Sequence, residues 1–232
     1  MSAVKRAVGV LISGRGSNMA ALAEAAKETD FPARIALVVS DQPDAAGLAY
    51  ARQAGIPARA VPRGDFGGKA EHEAAITAAL REAGAEIVCL AGYMRLLSDG
   101  FVAAWRGRLL NIHPSLLPAF PGLDTHRRAL EAGVRLHGCT VHFVSEEMDA
   151  GPIVAQGAVP VVAGDTEDDL ARRVLGVEHK LYPMALRMVA EGAAKLEDDR
   201  VVLSGGGAET GTLLSPEPHS RRSFEDLARL TP

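Results

Sequence analysis

Short apolar runs alternate with Ala-, Leu- and Glu-rich stretches of helical period along the N-terminal part of the chain. Ala7–Ile12 reads as a strand that ends in Ser13-Gly14-Arg15-Gly16-Ser17-Asn18, and Met19–Lys27 reads as a helix. The order then repeats, with strand Ile35–Ser40, helix Ala45–Gln53, a short strand near Ala58–Val61, helix Lys69–Glu82 and strand Ile87–Ala91. This alternation predicts an α/β fold, a mostly parallel twisted sheet with helices on both faces and a Rossmann-like N-terminal half.

From about Trp105 the pattern gives strand Leu109–His113, a proline-rich loop, and helix Thr125–Ala132 stopped by Gly133. Strands follow at Gly138–Val144 and 153–162, then a helix Glu167–Glu191 and a last short strand Val201–Leu203. Thr166, with Asp169 three residues on, has the spacing of a capped helix start. The expected organisation is one domain over 1–203 built of two halves, 1–104 and 105–203. Beyond it, 204–232 is too poor in apolar residues to build a core; it is expected to be a flexible tail with a weak helix at Phe224–Leu230.

The 232 residues, 47% hydrophobic and 23% charged, suffice for one large domain with a proper core. A net charge of -4 argues against a general nucleic-acid surface, so anionic ligands must be held by local donors. Cys89 and Cys139 lie in apolar strand contexts without metal-like pairing, which points to a reduced, cytoplasmic protein. The start has neither the apolar stretch nor the cleavage site of a signal peptide, and no segment reaches membrane-spanning length.

The chemistry concentrates in Asn111-Ile112-His113-Pro114-Ser115-Leu116-Leu117-Pro118 and Asp149-Ala150-Gly151-Pro152. On an extended segment Asn111 and His113 leave on one face while Ile112 points to the other. They stand at the end of a predicted strand, where open α/β sheets carry their ligands. Asp149 alone is good turn chemistry, and only proximity to His113 would make it catalytic. The other six histidines, His72, His126, His137, His142, His179 and His219, read as structural. Ser115 lacks the glycine elbow of a hydrolase nucleophile, and no histidine spacing suits a metal, which favours a metal-free mechanism. The glycine loop at 14–16 lacks the third glycine of a dinucleotide fingerprint. It reads either as a tight strand-to-helix turn or as a cradle in which backbone N–H groups at a helix N-terminus hold one phosphate.

Several blocks together resemble the phosphoribosylglycinamide formyltransferase family: Val10–Asn18, Val88–Leu97, Leu110–Pro118, Thr140–Val144 with Met148–Ile153, and Glu178–Pro183. The resemblance covers about Val8 to Gly192 and implies the formyltransferase fold. It implies transfer of a formyl group from the co-substrate 10-formyltetrahydrofolate to glycinamide ribonucleotide in purine synthesis. It assigns Gly16, Ser17 and Asn18 to the phosphate, Glu178 to the ribose hydroxyls, and Lys69, Met94, Arg95, Leu96 and Leu97 to the folate, with Asn111 between the two ligands. Lys69 stands where the family often has Arg, and Tyr93 where it often has Phe. The catalytic expectation is that Asn111 and protonated His113 stabilise an oxyanion while Asp149 pairs with His113 and relays a proton through water. Monomers and homodimers both occur in the family. The competing readings are a 10-formyltetrahydrofolate hydrolase, a methionyl-tRNA formyltransferase and a non-catalytic nucleotide-binding module. The first two are disfavoured because they normally carry an additional N-terminal or C-terminal domain.

Overall fold

A computed structural model describes residues 5–204 and Ser215. The expected helix Phe224–Leu230 and most of the expected tail lie outside the described residues. Seven strands form one sheet in the order β3-β2-β1-β4-β5-β6-β7. They are β1 (Arg6–Ile12), β2 (Ala33–Ser40), β3 (Ala58–Ala60), β4 (Ile87–Leu90), β5 (Leu109–His113), β6 (Leu136–Phe143) and β7 (Ile153–Pro160). The first five run parallel, whereas β6 and β7 are antiparallel to their neighbours. The sheet runs on across the expected 104/105 division, because β4 pairs with β5.

Among the described residues six α-helices accompany the sheet: α1 (Ser17–Ala26), α2 (Ala46–Gln53), α3 (Lys69–Glu82), α4 (Asp99–Ala104), α5 (Thr125–Glu131) and α6 (Glu167–Glu191). The period-2 alternation of β1 divides its side chains between two apolar layers. Val8, Val10 and Ile12 join Met19, Leu22, Leu48, Leu170 and Val174 on one face, and Leu11 joins Ile76, Leu80, Phe101 and Trp105 on the other. Gly9 lets α3 approach β1 closely, since a Cβ there would lie 2.2 Å from Leu80 Cδ2. Tyr182 of α6, fully buried, reaches the carbonyls of Leu90 on β4 and Leu110 on β5 at 3.0 and 3.2 Å, tying the longest helix to the middle of the sheet.

The Thr166–Asp169 pair forms a complete capping box, and Gly133 follows α5 with φ +66. Other elements differ from expectation: β2 and β6 each begin two residues before the expected start. α1 begins at Ser17, two residues early, because Gly16 takes a left-handed φ of +73 that turns the chain straight from β1 into the helix. The six-residue α4 is capped by Ser98, whose hydroxyl accepts from Phe101 N–H. The expected strand at Val201–Leu203 is β9 (Arg200–Leu203), which pairs outside the main sheet with the unforeseen β8 (Ala194–Glu197) across Asp198 and Asp199, both at positive φ.

Candidate active site

β1 lies between β2 and β4, so the connections after it diverge to opposite sides at this point of the sheet. In open α/β sheets the crevice at the strand carboxyl ends beside such a reversal is the ligand site. The loops leaving β1, β4 and β5 converge there, and each carries predicted site residues.

The β1 loop forms a compact turn. A Cβ on Gly16 would lie 2.9 Å from Gly47 Cα, and Gly47 N–H donates to Gly14 O, so the start of α2 presses on the loop. Ala20 N–H makes the first helical bond, to Gly16 O, so the amides of Ser17, Asn18 and Met19 have no intrahelical partner. With the helix dipole behind them, these free amides are what an anion cradle at this loop would use. Asn18 Nδ2 donates to Glu178 Oε2 on α6 at 2.6 Å, leaving its buried Oδ1 without a partner among the described residues. Burial raises the Glu178 carboxyl above its ordinary range, and the Asn18 bond offsets part of that rise. An orphan acceptor beside a buried carboxyl suits a ligand carrying hydroxyl donors.

The β4 loop is fixed by a residue that the sequence did not single out. Asp41, buried at the end of β2, accepts from Ser13 Oγ at 2.6 Å and from Arg95 Nε, while Ser13 Oγ accepts from Met94 N–H at 2.9 Å. Burial pushes the Asp41 carboxyl up, but the Ser13 and Arg95 bonds outweigh it and hold the group below its ordinary range. Arg95, Lys69 and Leu96 line one hollow of about 280 Å³ with Arg63, Glu73 and Tyr93. Arg95 commits its Nε to Asp41, and Lys69 lies 4.0 Å from Glu73. Met94 and Leu96 are exposed, whereas Leu97 packs against the core beside Phe101 and does not line this hollow.

Asn111 and His113 point to the same face of β5, as their spacing predicts. His113 Nδ1 lies 3.4 Å from Asp149 Oδ2, and His113 Nε2 lies 3.1 Å from Phe120 O. Both ring nitrogens thus face acceptors, an arrangement that satisfies a doubly protonated imidazole. The 3.4 Å separation exceeds that of a tight charge-assisted bond, about 2.7–2.9 Å. Asp149 itself is held at φ +55 and accepts from Gly122 N–H at 2.8 Å. Gly151 presses its loop onto the end of β6: a Cβ there would stand 1.7 Å from Phe143 O.

His142 departs from its expected structural role. It is directly opposite Asn111 in the antiparallel β5–β6 register, with its Nε2 3.2 Å from Asn111 Nδ2. Its Nδ1 faces Phe143 O at 2.9 Å, which makes Nδ1 the protonated nitrogen and Nε2 the acceptor. Burial lowers its pKa below 6.5, keeping it in this neutral form. One Asn111 N–H is therefore fixed on His142 and the other remains for a ligand. Of the remaining histidines, His72 bonds Val61 O, His126 and His137 pair with each other at 3.2 Å, and the buried Nε2 of His179 has no partner among the described residues. His219 lies outside the described residues. Ser115 Oγ donates to Ala119 O at 2.6 Å and so is occupied as a loop brace.

The chain is similar to known proteins over most of its length. A family model described as formyl transferase matches residues 6–186. Trifunctional purine biosynthetic protein adenosine-3 of Gallus gallus is 50% identical over 82% of this chain but only 19% of its own length, so the chain spans about a fifth of that relative. Phosphoribosylglycinamide formyltransferase of Escherichia coli is 44% identical over 84% of this chain and 92% of its own. Among solved structures, glycinamide ribonucleotide transformylase 1 from Symbiobacterium toebii superposes with a TM-score of 0.83 at 48% identity, over 86% of this chain and 94% of that one.

Proposed function

The chain belongs to the formyl transferase family, and on that premise we propose that it transfers the formyl group of 10-formyltetrahydrofolate to the amine of glycinamide ribonucleotide, yielding formylglycinamide ribonucleotide and tetrahydrofolate in purine synthesis. The observation that carries the reading is the convergence of Asn111, His113 and Asp149 at the carboxyl end of β5. That position is two strand spacings, about 10 Å, from the anion cradle at Gly16, Ser17 and Asn18. A phosphate in the cradle with its ribose hydroxyls toward Asn18 and Glu178 directs the far end of the ribonucleotide toward His113. The hollow at Lys69, Arg95 and Leu96, with Met94 at its edge, supplies cations and apolar surface for the folate.

The amine attacks the formyl carbon, the carbonyl electron pair moves onto oxygen, and collapse breaks the bond to N10, which takes up the proton lost by the amine. Asn111 contributes the N–H not bound by His142, and protonated His113 contributes Nδ1–H; both stabilise the oxyanion. Asp149 accepts a proton from the new ammonium through water and returns it toward N10. No metal is required in this scheme. The unpaired, buried Cys89 and Cys139 fit a reducing, cytoplasmic setting, and among the described residues no helix is long and apolar enough to cross a membrane.

Asn111→Ala and His113→Ala test the reading. Each should lower kcat by about 10²- to 10³-fold with the ribonucleotide KM little changed, and near-normal kcat in either variant would remove the assignment.

A further inference from the structure

We propose that Arg128 on α5 is a positioning residue of this site, acting through the loop over 119–123; the inference rests on the formyl-transfer reading above. That loop supplies both contacts that fix the His113–Asp149 pair from outside β5: Phe120 O faces His113 Nε2, and Gly122 N–H donates to Asp149 Oδ2. Both groups sit in backbone of positive φ, anchored on the core side by the Phe120 ring, which packs edge-on against His137. Phe120 has φ +54, a left-handed conformation that a side chain disfavours, and Gly122 has φ +78.

Arg128 clamps this stretch from the helix below. Its Nη1 donates to Pro121 O and to Leu123 O, on either side of Gly122, and its guanidinium lies 5.7 Å from the Phe120 ring centroid. The three contacts fix the carbonyls before and after Gly122 and the ring of Phe120, which together set where Phe120 O and Gly122 N–H point. Arg128 touches neither His113 nor Asp149, so it acts on them only through the loop. Both carbonyls accept from the single nitrogen Nη1, so what lysine would lose is the delocalised guanidinium over the Phe120 ring. The neighbouring Arg127 is exposed and pairs with Asp124 and Glu131, away from this contact set, which makes it a control.

The test compares Arg128→Ala, Arg128→Lys and Arg127→Ala with the wild-type chain. Displacement of catalytic groups by about 1 Å costs on the order of 10²-fold in rate, so Arg128→Ala should lose about that in kcat. The ribonucleotide KM, set at the distant Gly16–Asn18 cradle, should stay within about twofold. Arg128→Lys should retain charge yet lose about tenfold, Arg127→Ala should be unchanged, and guanidinium ion at millimolar concentration should restore part of the Arg128→Ala rate. Thermal melting reports the folded fraction; if Arg128→Ala does not fold, Arg128→Lys decides by the same readouts. The proposal is overturned by kcat within about threefold of wild type, or by a loss that only tracks the folded fraction and is not rescued. The ¹⁵N signals of the His113 ring, assigned with His113→Gln, read positioning without turnover. If the wild-type chain transfers no formyl group, a changed Nε2 signal in the Arg128 variants still supports the clamp, and an unchanged one overturns it.

Discussion

Gly151→Ala should separate catalysis from ribonucleotide binding. The ideal Cβ at position 151 lies 1.7 Å from Phe143 O and 3.1 Å from His142 Nδ1. Carbon–oxygen contacts settle near 3.3 Å, so one side must move by about 1.6 Å. Phe143 is part of β6, paired on both sides and fully buried. The displacement therefore falls on the loop that carries Asp149, two residues away. A 1 Å error in the placement of a catalytic group is worth about 10²-fold in rate, or about 2.7 kcal/mol of barrier, so kcat for formyl transfer should fall at least that far. The Gly16–Asn18 cradle is built on β1 and α1 and should hold the ribonucleotide with nearly its normal KM. Steady-state kinetics with the ribonucleotide varied at saturating formyl-folate gives both constants. Wild-type kcat in G151A would refute the claim that this loop's position is coupled to the chemistry.

Other perturbations address the remaining parts. Gly16→Ala forces a side chain into left-handed backbone, at a cost of about 1–2 kcal/mol, and against Gly47 Cα at 2.9 Å. It should raise the ribonucleotide KM by at least tenfold, and an unchanged KM would sink the cradle. Glu178→Ala leaves Asn18 Nδ2 unpaired in a buried site, so ribonucleotide affinity measured by calorimetry should drop by about tenfold or more; wild-type affinity would contradict the ribose assignment. Burial, the nearby His126 and the nearby His113 hold the His137 pKa at about 4, against 6.5 for the free side chain, despite an opposing contribution from the Pro114 carbonyl. The unfolded chain then binds more protons between those values, so stability is present above pH 6.5 and is lost as pH falls toward 4. In melting temperatures recorded across that window, His137→Gln should flatten the acid-side decline, and an unaltered slope would show that His137 does not contribute to it.

The parts that were legible in the sequence depend on local periodicity. α3, β5 and α6 have the bounds their hydrophobic pattern predicts, and the i, i+2 spacing of Asn111 and His113 places both on one face of β5. His142 was missed because its role depends on register. It is thirty-one residues from Asn111 and meets it only because β6 runs antiparallel to β5, a direction that alternation of apolar positions does not encode. Asp41 escaped for a related reason: its partners Ser13 and Arg95 come from the ends of two other strands. The nearness of Asp149 to His113 depends on a long return loop pinned at Gly151, whose tight fit becomes visible only when β6 is in place. α4 is too short to show a helical period, and β8, reading Ala-Lys-Leu-Glu, has no strong strand composition. Leu97 lies in a motif that points to the folate, and its partly buried side chain packs against the core.

The most direct test of the account follows a ¹³C label in the formyl group of 10-formyltetrahydrofolate, with purified protein and glycinamide ribonucleotide, by NMR. The account predicts that the label appears as an amide formyl on the ribonucleotide, one for each tetrahydrofolate released, and that omission of the ribonucleotide stops the reaction. Label recovered as free formate with or without the ribonucleotide would make the protein a hydrolase, and label that stays on the folate under both conditions would leave it a binding module.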